Sequence, residues 1–217
     1  MKLSVASVWK KYGDRTVIQD CSVTFNGAGI YVLMGQNGSG KSTFLRICAL
    51  LELPDSGHIA FSLDETPLAI DLALKRRLTL VLPGTGVFNS TVFNNVAYGL
   101  RIRGTSRSEI EKKVKRVLSF VGLDKRISQR ALTLSSGETR RLGIARALVI
   151  EPDILFLDEP TASVDQENTE IIEAIVTEMN QVSRSTIIMT THDREQAERL
   201  ADVMLIMKNG AISQQSP

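Results

Sequence analysis

Residues 35–42 read GQNGSGKS, the spacing G-x-x-x-x-G-K-[ST] with which a backbone loop wraps a phosphate group. Gly35, Gly38 and Gly40 permit torsions and close approaches that a Cβ would obstruct, so several N–H groups can turn toward one anion. Gln36, Asn37, Ser39 and the flanking Thr43 complete the stretch expected to touch a nucleotide. Lys41 supplies a mobile positive charge for β- and γ-phosphates, and the Ser42 hydroxyl is the expected ligand for Mg²⁺. A helix N-terminus adds only about half an elementary charge. Affinity must therefore come from the summed donors, Lys41 and the metal.

Two further clusters narrow the chemistry. Residues 154–160, ILFLDEP, put four apolar residues before a carboxylate pair, a buried strand that delivers Asp158 to its carboxyl end, where ligands collect in open α/β sheets. Asp158 can hold Mg²⁺ directly or through water, and Glu159 can polarise an attacking water; a helix cap is the plain alternative for such a pair. Residues 134–138, LSSGE, open a helix expected to reach about 150, with Ser135 and Glu138 at capping-box spacing and N–H groups suited to an anion. Taken alone, that segment is simply a capped helix.

These groups need a scaffold. Strands are expected at 3–10 and 17–25 around a turn at Gly13-Asp14, then at 29–34, with a helix at 41–51 after the loop. A turn at 54–57 precedes a strand at 58–61, where His58 has no chemical partner in view, and another strand follows at 78–82. From about 84 to about 130 the pattern changes to loops and helices, a helical insertion. Its clearest element spans 106–121, with Ser106 and Glu109 as a capping box and Ile110, Val114, Val117, Leu118 and Val121 on one face. Strands return at 154–157, 186–190 and 203–207, separated by helices near 166–181 and 194–201. The alternation implies an α/β fold with a mostly parallel sheet and helices on its faces.

Composition sets bounds on the class. A chain of 217 residues can bury roughly 70–75% of its unfolded surface, enough for one sizeable domain without disulfides. The net charge of +2, with acidic and basic residues mixed, argues against nucleic acid as a partner, and the runs at 75–77 and 112–116 read as solvated faces. Cys21 and Cys48 form no metal-ligand pattern and read as buried free thiols in a reducing compartment. No apolar run approaches the ~18 residues of a membrane span, and the N-terminus lacks the apolar core of a signal peptide. A soluble cytoplasmic protein is the expectation.

In this order the motifs resemble those of the ATP-binding cassette (ABC) ATPases, over nearly the whole chain. GQNGSGKST is similar to the family's Walker A loop, LSSGE to its signature motif, and ILFLDEP to its Walker B strand. Residues 161–165 resemble the D-loop, residues 190–193 the switch segment carrying the family histidine, here His192, and Tyr12 stands where an aromatic stacks on adenine. A tyrosine beside a turn can equally be a packing residue. The resemblance implies a P-loop NTPase core, an N-terminal antiparallel β subdomain and a helical subdomain at about 84–150, all within one cassette of residues 1–217. It also implies ATP and Mg²⁺ as cofactors and a head-to-tail pair with a second copy. Ser135 and Gly137 of one chain then face the γ-phosphate on the other's loop, Glu159 orients water, His192 bonds the γ-phosphate, and Asp165 communicates between the sites.

Further implications concern partners. Residues 87–100 resemble the region that receives coupling helices of a membrane permease, with Phe88, Phe93 and Tyr98 as its apolar surface or, alternatively, as subdomain core. The family then implies a transporter subunit, peripheral on the inner face of the membrane through a permease and working with an extracytoplasmic solute-binding protein. Residues 47–52 and 94–104 resemble importers of tungstate and related oxyanions, and because the text stops soon after Ile212 the regulatory domain of sugar and molybdate cassettes is expected to be missing. One departure stands out: Pro83 occupies the place of the glutamine that usually reaches Mg²⁺ and the attacking water. Ser136 and Glu138 also differ from the usual glycine and glutamine of the signature motif, changes small enough to be tolerated. Pro83 keeps open a regulatory module that binds ATP and barely hydrolyses it; a cassette serving a process other than transport is the third reading.

Overall fold

Alternating apolar residues near the N-terminus build an antiparallel sheet. β1 (Lys2–Tyr12) and β2 (Arg15–Phe25) pair from Leu3 opposite Phe25 to Tyr12 opposite Arg15, burying Leu3, Val5, Val8, Ile18, Cys21 and Phe25. β3 (Gly29–Met34) and α1 (Lys41–Cys48) follow. Then β4 (Ser56–Leu63) pairs with the other edge of β1, and β5 (Thr66–Leu68) closes the sheet in the order β2-β1-β4-β5. The computed structural model describes residues 1–84, 86–183 and 185–214.

The helix after the phosphate loop stops three residues before the expected 51. Leu50 adopts φ 57°, its N–H donates to Ile47 O, and the Leu51 N–H donates back to Arg46 O. This is the two-bond left-handed termination usually made with glycine, here made by a leucine whose side-chain type gave no warning.

The second sheet has the order β10-β9-β3-β8-β7-β6. Its members beyond β3 are β6 (Leu78–Val81), β7 (Ile154–Asp158), β8 (Thr186–Thr191), β9 (Val203–Lys208) and the edge strand β10 (Ala211–Gln214). β3 runs parallel to both β8 and β9, β7 runs parallel to β8, and β10 is antiparallel to β9. Every residue of β7 and β8 is buried, as expected where helices cover both faces and the strands read as unbroken apolar runs. On one face Phe44, Leu45, Ile47 and Cys48 of α1 join Phe156, Ile188 and Leu205 in a continuous core. Burial pushes the Cys21 thiol up to about 11 and raises that of Cys48 well above its ordinary value, so both remain protonated and unreactive at neutral pH. The short helices α2 (Leu72–Lys75) and α7 (Arg194–Leu200) complete this part of the chain.

The chain divides into two compact units. One comprises residues 1–80, 153–159 and 179–217; the other comprises residues 81–152 and 160–178. The second holds α3 (Val92–Ile102), α4 (Arg107–Phe120), α5 (Ser136–Leu148) and most of α6 (Gln166–Ser183). α4 buries Ile110, Val114 and Leu118 and exposes Lys112, Lys115 and Arg116. Its capping box is only half present: Ser106 Oγ accepts from the Glu109 N–H at 3.3 Å, while the Glu109 carboxylate lies 3.8 Å from Lys113 Nζ, a turn further on. The Glu109 side chain faces Lys113 rather than the helix start, and the Lys113 ammonium also bonds Glu151 at 2.9 Å. Among the described residues no helix is long and apolar enough to cross a membrane.

Candidate functional site

Strand register assembles the site. Met34 at the end of β3 lies opposite Thr191 of β8, and Thr190 lies opposite both Leu33 of β3 and Asp158 of β7. Three parallel strands therefore end level, and the segments leaving them, residues 35–40, Glu159 and His192, emerge at the carboxyl ends of the strands.

The loop is moulded on its glycines at two places. A Cβ on Gly40, whose φ is 108°, would lie 2.7 Å from Val17 O, and one on Gly35 would lie 2.5 Å from Met207 O. Neither neighbour is a movable side chain, so the closeness of loop and scaffold depends on glycine. Gln36, Asn37 and Gly38 are exposed, Ser42 is half-buried, and Thr43 is buried with its hydroxyl accepting from Arg46 at 3.3 Å. Lys41 is only 4% exposed. Its ammonium donates to Gly35 O at 2.7 Å and Gln36 O at 3.2 Å and stands 3.4 Å from Glu159 Oε1. A buried cation thus sits against two loop carbonyls, compensated by one carboxylate.

The acidic side is equally organised. Asp158 is buried and accepts from Thr190 Oγ1 at 2.8 Å, while the Glu159 N–H donates to the same oxygen at 2.9 Å. Glu159 has φ 46°, an uncommon conformation for a residue with a side chain. Its carboxylate faces Lys41 through one oxygen and His192 Nδ1 through the other, at 3.6 Å. Asp193 caps α7 by accepting from the Gln196 N–H, which anchors the chain just beyond His192. Tyr12, 46% exposed, gives its phenol proton to Glu52, which also receives Arg46 at 3.3 Å and Lys10 at 3.6 Å; Lys10 Nζ lies 5.7 Å from the Tyr12 ring centroid.

The second unit carries the remaining motif residues. Ser135 caps α5 and forms a complete capping box: Ser135 Oγ accepts from Glu138 N–H at 3.2 Å, and Glu138 Oε2 accepts from Ser135 N–H at 2.9 Å. Two amides expected to face an anion are engaged by this box, which does not use those of Ser136 and Gly137. The Ser135 N–H, with help from Arg126 at 3.0 Å, holds the Glu138 carboxyl below its usual range. Arg126 thereby offsets a negative charge at a helix end proposed to meet phosphate. Gly137 packs against Asn168, whose amide donates to both Asp165 oxygens at 2.9 and 3.0 Å. Pro83 is exposed beyond β6. Phe88 and Tyr98 are 41% and 49% exposed with ring centroids 4.7 Å apart, Arg146 lies 4.6 Å from the Phe88 centroid, and Phe93 is half-buried.

The sequence motifs give Thr190, Arg126 and Asn168 no role of their own. For Thr190 the signal is weak, one of three buried threonine hydroxyls in the strand Thr186–Thr191. For Arg126 there is none, because Glu138 lies on another segment, and for Asn168 only the Asp165 bond is local, while its packing against Gly137 is not.

The donor set fits a magnesium nucleotide. Ser39 Oγ is buried with no hydrogen-bond partner among the described residues, and α1 is preceded by Gly40 as its cap with no side-chain capping bond, so its first amides remain available to an anion. Ser42 and Asp158 offer the oxygen ligands that Mg²⁺ prefers.

Comparison with known proteins agrees with this chemistry. Residues 18–162 match the ABC transporter family. The tungstate uptake system ATP-binding protein TupC of Peptoclostridium acidaminophilum is 36% identical over 99% of this chain and 98% of its own length. The sulfate/thiosulfate import ATP-binding protein CysA of Pectobacterium atrosepticum is 34% identical over 99% of this chain and 66% of its own. An ATP-binding cassette solved as a dimer in a post-hydrolysis state with ADP and Pi superimposes with a TM-score of 0.86 at 25% identity, covering 99% of this chain and 98% of that one. With its motifs in order and its P-loop NTPase fold matched along the whole length, the chain belongs to the ABC transporter family, as an ATPase subunit that binds ATP with Mg²⁺.

Proposed function

We propose that this cassette drives a membrane permease importing a small oxyanion, tungstate or a chemical relative, and that it works as a head-to-tail pair with a second copy. The convergence of Lys41, Glu159 and His192 at the level strand ends carries the hydrolytic part of this reading. Similarity to tungstate and sulfate import cassettes supports the cargo class. The cassette itself does not touch the cargo. Residues 1–217 form one cassette in which about 84–150 is the inserted helical subdomain, and the exposed Phe88 and Tyr98 offer an apolar surface to a permease. A peripheral place on the inner membrane face and a solute-binding protein outside follow from that assembly.

The roles divide by chemistry. Amides of residues 35–43 and the Lys41 ammonium bind the phosphates, while Tyr12 stacks on adenine. Ser42 and Asp158 hold Mg²⁺, which when bound neutralises charge developing on the phosphoryl oxygens. Glu159 orients water and takes up its proton, and His192, beside Glu159, bonds the γ-phosphate. Ser135 and Gly137 close on the nucleotide from the other copy, so ATP favours the paired state and its hydrolysis releases it.

Pro83, which lacks the amide of the usual glutamine, favours a second reading: a module that pairs on ATP with little turnover. Phosphate release by the purified protein with Mg-ATP separates the two. Turnover that disappears in Glu159→Gln, with ATP-dependent dimers in that variant on gel filtration, supports the ATPase. Dimers without phosphate release from the unaltered protein would leave only the module, and absence of ATP-dependent dimers would remove the pairing.

A further inference from the structure

We propose that Thr190 is a positioning residue that aims both members of the acidic pair, an inference resting on the reading of Asp158 as metal ligand and Glu159 as the group that orients water. A threonine hydroxyl has one proton to give and lone pairs to receive. Here the proton goes to Asp158 Oδ1 at 2.8 Å, and a lone pair accepts the Glu159 N–H at 2.9 Å. The first bond fixes the rotation of the Asp158 carboxylate and commits one of its oxygens, which presents the other in a single direction. The second holds the peptide entering Glu159, whose φ of 46° turns the chain out of the strand and brings its carboxylate between Lys41 and His192.

Packing does not explain the hydroxyl. Thr190 is wholly buried in β8 after Ile187, Ile188 and Met189, where valine has nearly the same shape and equal liking for a strand. Buried polar groups at such a position are retained when partners satisfy them, and both partners here are the groups that would handle metal and water. Thr190 is wholly buried with its hydroxyl committed to these two residues, so it acts through them, as outer-shell groups do around metal ligands.

The test compares Thr190→Val, Thr190→Ala and Thr190→Ser in the full-length chain, with Glu159→Gln as reference. Two readouts are needed: steady-state phosphate release, and the Mg²⁺ midpoint for equilibrium binding of a fluorescent ATP analogue, set beside its binding in EDTA. Removing the hydroxyl should lower kcat and raise the Mg²⁺ midpoint by about 10-fold or more, the usual scale for an outer-shell partner, with EDTA binding unchanged. Serine should restore both. Two hydroxyl-free variants are included because alanine leaves a cavity and valine does not, so folding of either keeps the test decisive. Valine or alanine enzyme with unaltered kcat and Mg²⁺ midpoint, while Glu159→Gln is inactive, overturns the role of Thr190 alone. Full turnover in Glu159→Gln overturns the underlying reading and this inference with it.

Discussion

Substituting Gly137 by alanine sets two effects of known sign against each other. Within a helix alanine is favoured over glycine by up to about 1 kcal/mol. Gly137 lies in the first turn of α5, however, where an added Cβ would stand 2.1, 2.3 and 2.4 Å from Asn168 Cγ, Oδ1 and Nδ2. Those atoms end a side chain that can swing away only by leaving the Asp165 carboxylate it bridges. Overpacking costs typically about 1–3 kcal/mol, so the clash outweighs the propensity gain and Gly137→Ala should be destabilised by up to about 2 kcal/mol. In an Asn168→Ala background the obstacle is gone and the same substitution should stabilise, by up to about 1 kcal/mol. Equilibrium urea unfolding of the four proteins, followed by circular dichroism, measures the coupling, expected at about 1–3 kcal/mol. Additivity within about 0.3 kcal/mol would refute the contact between Gly137 and Asn168 as the reason for glycine. Phosphate release from the same proteins should fall in Gly137→Ala and recover partly in the double variant if the link from Gly137 to Asp165 bears on closure.

Other outcomes follow from single contacts. Gly40→Ala forces a Cβ to 2.7 Å from Val17 O at φ 108°, a strain of about 1–3 kcal/mol, and calorimetry should show a lower Tm; an unchanged Tm would dismiss it. The Glu138 carboxyl is held low by the Ser135 N–H and then Arg126, so its stabilisation is complete above the unfolded value near 4.5 and disappears as pH falls through the lower folded value. Urea midpoints taken from about pH 6 to about pH 3 should therefore drop more steeply for the unaltered protein than for Glu138→Gln; parallel curves contradict the assignment. Pro83→Gln restores an amide whose bonds to charged groups contribute about 1.5–3 kcal/mol, and it should change ATPase rate more than ATP affinity; unchanged kinetics and affinity remove its basis.

Local text carried much of this. The phosphate loop, the apolar run leading to Asp158 and the Ser135 box are each encoded within a few residues, and the structure has β3, α1, β7 and α5 at those places. Boundaries were less legible. Leu50 ends α1 in a left-handed turn, and the Glu109 side chain prefers Lys113 to its own helix start. In both cases short-range bonding chose among options that residue type left open.

Pairings distant in sequence were not legible at all. Arg126 meets Glu138, Asn168 fills the space beside Gly137, and Glu52 receives Tyr12. None of these has a periodic signature, since side-chain patterns report which face is buried and not what lies against it. The sequence by itself determined the class of chemistry, because phosphate binding needs only a short loop with glycines, a lysine and a hydroxyl at set spacing. Only the tertiary structure decided how that chemistry is aimed. Parallel pairing of β3, β8 and β7 brings Leu33, Thr190 and Asp158 level, and from that register come the distances among Lys41, Glu159 and His192.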